Sequence, residues 1–357
     1  MNRVPFYDPA KTYSENFDEG PFGDFADGAI EPIGEPRFDF LGEKLSYPFG
    51  IPSGPLLNGA YVEAAFAKGF DVSVYKTVRG VEFPCHPFPN VLSVQVDGDL
   101  TLDKVKQPLV AHTSFDEPLS ITNSFGVPSR SVDAWLKDAK KASHTARRGQ
   151  TMIMSFMGTV QEGQSESDFA ADFARVAERS LEVGARILEM NLSCPNLGNE
   201  GLVCYNLDMT ERVCAAVREK IGATPLVVKI GYVDNDVMLE RLARIVAVYA
   251  HGISAINTIS AVVVNEEGAQ ALPGKNRVRS GVCGSSIKWA GLEMTHRLAA
   301  IRTRLGVSFS IVGVGGVMNP SDFRAYRDAG ADVVMSATGA MWNPCLAKEI
   351  KEAYPDG

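Results

Sequence analysis

The segment "EMNLSCPNLGNEG", residues 189–201, crowds Asn191, Ser193, Cys194 and Asn196 onto the end of an apolar run. A thiol with an ordinary pKa of about 8.5 can remove a proton from a carbon acid when its surroundings favour the thiolate. Ser193 and the flanking asparagines would then hold cysteine and substrate in register. Lys76 and Lys229 each end another apolar run, "DVSVYK" and "PLVVK". A single strand-end lysine often snorkels to solvent. Two on different strands point to an anionic ligand or an electron-rich ring. Asparagine recurs at 123, 191, 196 and 257, with Thr258 beside the last. Each amide offers donor and acceptor, which suits a planar ring of alternating N–H and C=O groups. In "VGVGGVMNPSDF", Gly315 and Gly316 would let backbone N–H groups approach an anion, with the N-terminus of the following helix behind them. "SATGAM", carrying Ala337 and Thr338, adds a second small-residue loop.

Such residues need strands to present them. From "YPFGIPSG" onward, short β-branched runs alternate with helical stretches: "DVSVYKT", "TMIMSF", "RILEMNLS", "PLVVKIG", "ISAINTIS", "FSIVGVGG" and "DVVMSATG" follow in turn. Continuous apolar strands alternating with helices indicate a parallel sheet covered by helices. Eight such runs predict a (β/α)₈ TIM barrel of class α/β, with its site at the C-terminal ends of the strands and phosphate held by the last two loops. An open doubly wound sheet would place GxGxxG after its first strand, and none follows here. Helical spacing over "DFAADFARVAERSLEVGA" puts Phe169, Phe173, Val176, Ala177 and Leu181 on one face. Residues 1–46, rich in Pro, Gly, acidic residues and Phe, read as an irregular arm, and 47–357 as the catalytic barrel. Residues 79–135 read as an insertion over the barrel mouth after the second strand.

Composition narrows the function. A net charge of −8 with no basic block argues against nucleic acid as partner. No run is long and apolar enough to span a bilayer, and the N-terminus lacks a signal-peptide core. A cytoplasmic enzyme is expected. The six cysteines form no CxxC pair and show no metal or iron–sulfur spacing, so no metal is expected. Cys214 falls on the apolar face of a helix as a core residue, which leaves Cys194 as the cysteine among polar neighbours.

The ordered set "VYKT", "ITNSFGVP", "NLSCPN", "VVKIG", "INTIS", "VGVGGV" and "SATGA" resembles the dihydroorotate dehydrogenases, particularly the soluble class 1 enzymes, from about residue 48 to 350. The resemblance implies an FMN-containing barrel that oxidises (S)-dihydroorotate to orotate in pyrimidine biosynthesis. Cys194 would take the C5 proton while the C6 hydride moves to flavin N5. Asn123, Asn191, Asn196, Asn257 and Thr258 would hydrogen-bond the pyrimidine and its carboxylate. Lys76 would stand near flavin and carboxylate, and the backbone of Phe125, Gly126 and Val127 would cradle the latter. Ser53, Gly54 and Thr77 would approach the flavin, with Asn123, Asn191 and Asn257 on its rim and Lys229 at its N1–O2 edge. Gly281 and Gly284, with Gly315, Gly316, Ala337 and Thr338, would line the ribityl-phosphate site. A homodimer is implied, and fumarate is one of several possible electron acceptors. The chain departs from the family pattern after "NLSCPN", where "LGNEGLVCYN" replaces the Val-Pro-Gly-Lys-Pro type of loop common in fumarate users. Ala337 also stands where a glycine is common, and the N-terminal arm exceeds what a minimal class 1 chain needs. The nearest rival is the pyrimidine-reducing part of dihydropyrimidine dehydrogenase, which acts on uracil or thymine. That family usually has His where Asn196 stands and works with iron–sulfur clusters. A flavin-binding regulatory barrel would not need Cys194 and the asparagines, and a sugar-phosphate isomerase or aldolase would not carry the cysteine.

Overall fold

The computed structural model describes residues 4–193, 203–275 and 277–357. Each of the eight apolar runs forms a strand. In barrel order they are β3 (Phe49–Ile51), β4 (Val72–Val78), β8 (Thr151–Phe156), β9 (Ile187–Asn191), β10 (Leu226–Ile230), β11 (Gly252–Ala255), β14 (Ser310–Val314) and β15 (Val333–Met335). All neighbours pair parallel and β15 returns to β3, closing the barrel. The two numbering gaps mark strands that lie elsewhere.

Helices α2 (Gly59–Ala67), α3 (Val132–Ser143), α4 (Glu166–Leu181), α5 (Leu207–Ile221), α6 (Asp236–Tyr249), α7 (Lys288–Leu305) and α8 (Pro320–Asp328) follow strands in turn, with the short α9 (Thr338–Trp342) and α10 (Leu346–Ala353) after β15. Side-chain caps set several of their starts. Asn58, Ser165, Asn206, Asn235 and Asn319 each accept a backbone N–H of the first turn. On α4, Phe169, Phe173, Val176 and Ala177 are buried, and on α5 Cys214 lies in the core with Val213, Val217 and Ile221.

The arm is more ordered than its composition suggests. It holds α1 (Tyr13–Glu19), begun by a capping box between Thr12 and Glu15, and a hairpin of β1 (Phe38–Phe40) and β2 (Glu43–Leu45). Phe40 and Leu45 of that hairpin pack against Val72, Ile153, Ile187, Val227, Val312 and Val333, the first inward layer of the barrel. The hairpin therefore plugs the N-terminal end.

The insertion also has structure of its own. β5 (Val91–Val94), β6 (Leu109–His112) and β7 (Ser120–Asn123) join β12 (Ile259–Val264) and β13 (Arg279–Gly284), from the loop after β11, in a second closed sheet. The "ISAINTIS" run is thus divided: its first residues belong to the barrel and its last begin β12.

Candidate active site

Strand periodicity places the polar residues. Successive inward positions read Val72, Val74, Lys76 on β4, Ile153, Ser155 on β8, Ile187, Glu189, Asn191 on β9, and Val227, Lys229 on β10. Each strand is apolar toward the plugged end and polar toward the open one. The pairing of β4 with β8 shifts register between Tyr75 and Val78, a local irregularity that lets both Lys76 and Thr77 reach the same cavity.

That cavity lies at the C-terminal ends of the strands. Ser53, Gly54, Lys76, Thr77, Asn191 and Lys229 form its barrel side. Asn123, Phe125, Val127, Thr258 and Cys283 come from or beside the second sheet, and Asn257, Ala337 and Thr338 complete the rim. Gly284, Gly315 and Gly316 line a contiguous recess that shares Asn257, Cys283, Ala337 and Thr338 with the main cavity. Gly316, at φ +67°, could not accept a side chain, because a Cβ would fall 2.7–2.8 Å from Lys288 backbone and Cβ atoms. At the start of α8, Asn319 Oδ1 accepts the Asp322 N–H.

Three expected residues stand behind the wall. Gly281 faces Thr258, whose Oγ1 would be 2.3 Å from any Cβ added there. Gly126 backs onto His86 and offers its carbonyl to Arg79. Ser193 is buried, its N–H donating to Asn191 Oδ1 at 3.1 Å and its carbonyl accepting from Asn257 Nδ2. Cys194 and Asn196 lie outside the described residues.

A buried polar network joins the barrel side. Ser53 Oγ and Ser155 Oγ donate to Glu189 Oε1 at 2.8 and 2.9 Å. Lys229 Nζ donates to the carbonyl and hydroxyl of Ser53 at 3.1 and 3.2 Å. Thr77 Oγ1 meets Ser155 Oγ at 2.9 Å and receives Asn191 Nδ2 at 3.4 Å. Lys76 Nζ sits 6.0 Å from the centre of the Tyr13 ring, a cation–π contact supplied by the arm.

Arg79 organises the "NSFGVP" loop. Fully buried, it donates to the carbonyls of Gly126 (3.1 Å), Val127 (2.9 Å) and Gly158 (3.3 Å) and to Thr159 Oγ1 (3.1 Å). Both loop residues have left-handed backbone, Gly126 at φ +76° and Val127 at φ +53°. The latter is unfavourable for a β-branched residue.

The sequence singles out Cys194, but Cys283 has polar neighbours as well. Cys283 Sγ lies 3.4 Å from both Asn123 Nδ2 and Thr338 Oγ1. Burial pushes this thiol up, against the opposing pull of Thr338, Asn123 and Lys229, so it stays neutral. Its sequence context, "SGVCGSS", reads as a glycine turn and hides the placement. Glu189 was also invisible, as one acid in an apolar strand. Its strand parity with Ile187 and Asn191 was the available signal.

The family model described as dihydroorotate dehydrogenase matches residues 106–356. The chain belongs to the dihydroorotate dehydrogenase family. It is 34% identical to the dihydroorotate dehydrogenase of Dictyostelium discoideum, over 96% of this chain and 95% of that one. It is 29% identical to the catalytic subunit of dihydroorotate dehydrogenase B (NAD(+)) from Alkaliphilus oremlandii, over 66% of this chain and 71% of the other. The fold is shared with a dihydroorotate dehydrogenase of Eimeria tenella crystallised with ferulenol, at a TM-score of 0.65 and 17% identity, covering 88% of this chain and 82% of that one. The dihydropyrimidine dehydrogenase alternative is not favoured by these relatives.

Proposed function

We infer that this chain oxidises (S)-dihydroorotate to orotate with FMN held in the barrel mouth. The observation that carries this reading is the convergence of Lys76, Asn123, Asn191, Asn257 and Thr258 on one cavity in a chain of this family. The residues present fit FMN. The recess with Gly284, Gly315 and Gly316 offers open backbone for a phosphate, and Lys229 brings positive charge beside Ser53. Thr258 lines the cavity, with its Oγ1 turned toward Gly281 on the far side of the wall.

When bound there, FMN supplies a hydride acceptor. The chain's own groups do the rest. Asn123, Asn191 and Asn257 orient the pyrimidine by paired donors and acceptors, while Lys76 and the backbone at Phe125 and Val127 receive the carboxylate. Cys194, with Ser193 and Asn196 beside it in the chain, removes the C5 proton. Lys229 stabilises negative charge developing at the cofactor. Residues 1–46 serve as an arm to the barrel of 47–357. By the family resemblance we propose a homodimer as assembly and the cytoplasm as compartment, with fumarate as one of several candidate electron acceptors. No helix among the described residues is long and apolar enough to cross a membrane.

The deciding experiment mixes the purified yellow protein anaerobically with dihydroorotate and follows loss of oxidised-flavin absorbance, with dihydrouracil and dihydrothymine in parallel. Bleaching by dihydroorotate alone is expected. Bleaching only by the uncharged dihydropyrimidines would move the chain to the rival substrate class. Reoxidation of the bleached enzyme by fumarate then tests the acceptor.

A further inference from the structure

Tyr7 belongs to the arm, yet it forms part of the cavity wall with Lys76, Asn123 and Phe125. It is 2% exposed, and its Oη has no hydrogen-bond partner among the described residues. Native structures keep few buried hydroxyls unpaired, because a group stripped of water and given no partner is destabilising. Tyr7 Oη is such an orphan, and it belongs to a residue on the wall of this cavity.

The ring is held where it is. On one side of it, Phe6 N–H donates to the carbonyl of Met341, another wall residue, at 3.0 Å. The Phe6 ring packs on Phe25 with centroids 4.4 Å apart. On the other side, Asp8 N–H donates to Asn16 Oδ1 at 2.7 Å, and Asn16 Nδ2 returns to the Asp8 carbonyl at 3.0 Å. With both neighbours tied, Tyr7 cannot swing out to find water.

Its corner of the cavity is the one in which the proposed function seats the substrate carboxylate. The Tyr7 and Tyr13 rings both meet the Phe125 ring, at 5.5 and 6.0 Å, and Tyr13 also covers the Lys76 ammonium. Burial first, then the nearby Cys85, Tyr61, Tyr13 and Asp8, pushes the Tyr7 phenol above its ordinary range, so it remains a donor at any working pH. A neutral donor on the same cavity wall as a lysine is suited to a carboxylate.

We propose that Tyr7 donates its phenolic hydrogen bond to the carboxylate of the bound substrate, making the arm a specificity-determining wall of the substrate chamber. This rests on the dihydroorotate reading of the cavity.

The test compares FMN-loaded wild type with Tyr7→Phe, which keeps the ring and removes only the hydroxyl. Orotate, and uracil as the analogue without a carboxylate, are titrated against the flavin spectrum. FMN content and the thermal midpoint of the ligand-free protein are measured on the same samples. The variant should bind orotate roughly ten- to a hundred-fold more weakly, bind uracil as wild type does, and keep its FMN. Its thermal midpoint should be unchanged or raised, because a buried orphan has gone. Unchanged orotate affinity in Tyr7→Phe overturns the proposal, as does an equal loss of uracil or FMN. A wild type that neither bleaches with dihydroorotate nor binds orotate overturns the parent reading too, and that result appears before any substitution is made.

Discussion

Lys229 and Glu189 share one hydroxyl: Ser53 Oγ donates to the carboxylate at 2.8 Å and accepts from the ammonium at 3.2 Å. Both ions are buried, so each is stable largely through groups such as this one. Lys229→Met should therefore cost about 3–5 kcal/mol, because it leaves the carboxylate uncompensated. Lys229→Met combined with Glu189→Gln should recover most of that loss. Denaturant unfolding of the two single variants and the double variant measures the coupling. Strict additivity would show that the two ions do not sense each other through Ser53.

Cys194 carries the proton-transfer step of the proposed reaction. Cys194→Ala should retain FMN but slow flavin reduction by dihydroorotate about 10²- to 10⁴-fold. Cys194→Ser should show slow turnover that rises with pH. Stopped-flow reduction traces of the two variants decide the matter, and a fully active alanine variant removes Cys194 from the chemistry.

Arg79 holds two backbone carbonyls in a stretch where Val127 adopts a left-handed conformation. Such strain costs on the order of 1–3 kcal/mol and persists only while its surroundings enforce it. Arg79→Met should lower stability by about 3 kcal/mol, since the carbonyls lose a buried charged donor, and should weaken orotate binding in parallel. Arg79→Lys should not rescue either property, because one ammonium cannot reproduce the fork that spans Gly126 and Val127. Calorimetry and orotate titration of both variants provide the check.

His86 packs beneath the same loop, its ring against Gly126 and its backbone N–H donating to the Phe125 carbonyl at 3.0 Å. Burial, helped by Arg277 and then Arg79, holds its pKa below the ordinary value. The unfolded chain therefore binds this proton more readily than the folded one. The stability His86 contributes is present above its unfolded pKa of about 6.5 and declines as pH falls through the lower folded value. Unfolding free energies measured from pH 8 to 5 should fall less steeply in His86→Gln than in wild type. Parallel curves would exclude His86 as a source of the acid sensitivity. His251, also lowered by burial and by Arg218, supplies a background common to both proteins.

Much of the barrel was legible because parallel strands are buried on both faces and read as unbroken β-branched runs. The strand-end residues stood out as polar side chains closing those runs. The second sheet was not legible. Leu109 of β6 pairs with Val263 of β12, more than a hundred and fifty positions away, and no local pattern records such a partner. The same holds for Tyr7, which reaches the cavity through isolated contacts rather than a ladder. Cys283 was concealed by glycines that read as a turn. Cys194 and Asn196 lie outside the described residues.

The hydrogen bond from Phe6 to Met341 brings opposite regions of the chain together at the cavity. During synthesis, Tyr7 leaves the ribosome long before α9 exists, and until then its place on the wall has no counterpart. The chamber is thus among the last features to be assembled, after a closure of very high sequence separation. Acquisition of orotate binding during refolding should accordingly lag behind formation of the barrel itself. The ligand would in that sense report completion of the whole chain's tertiary structure, and displacement of the segment around Tyr7 would leave the plugged barrel with an open chamber.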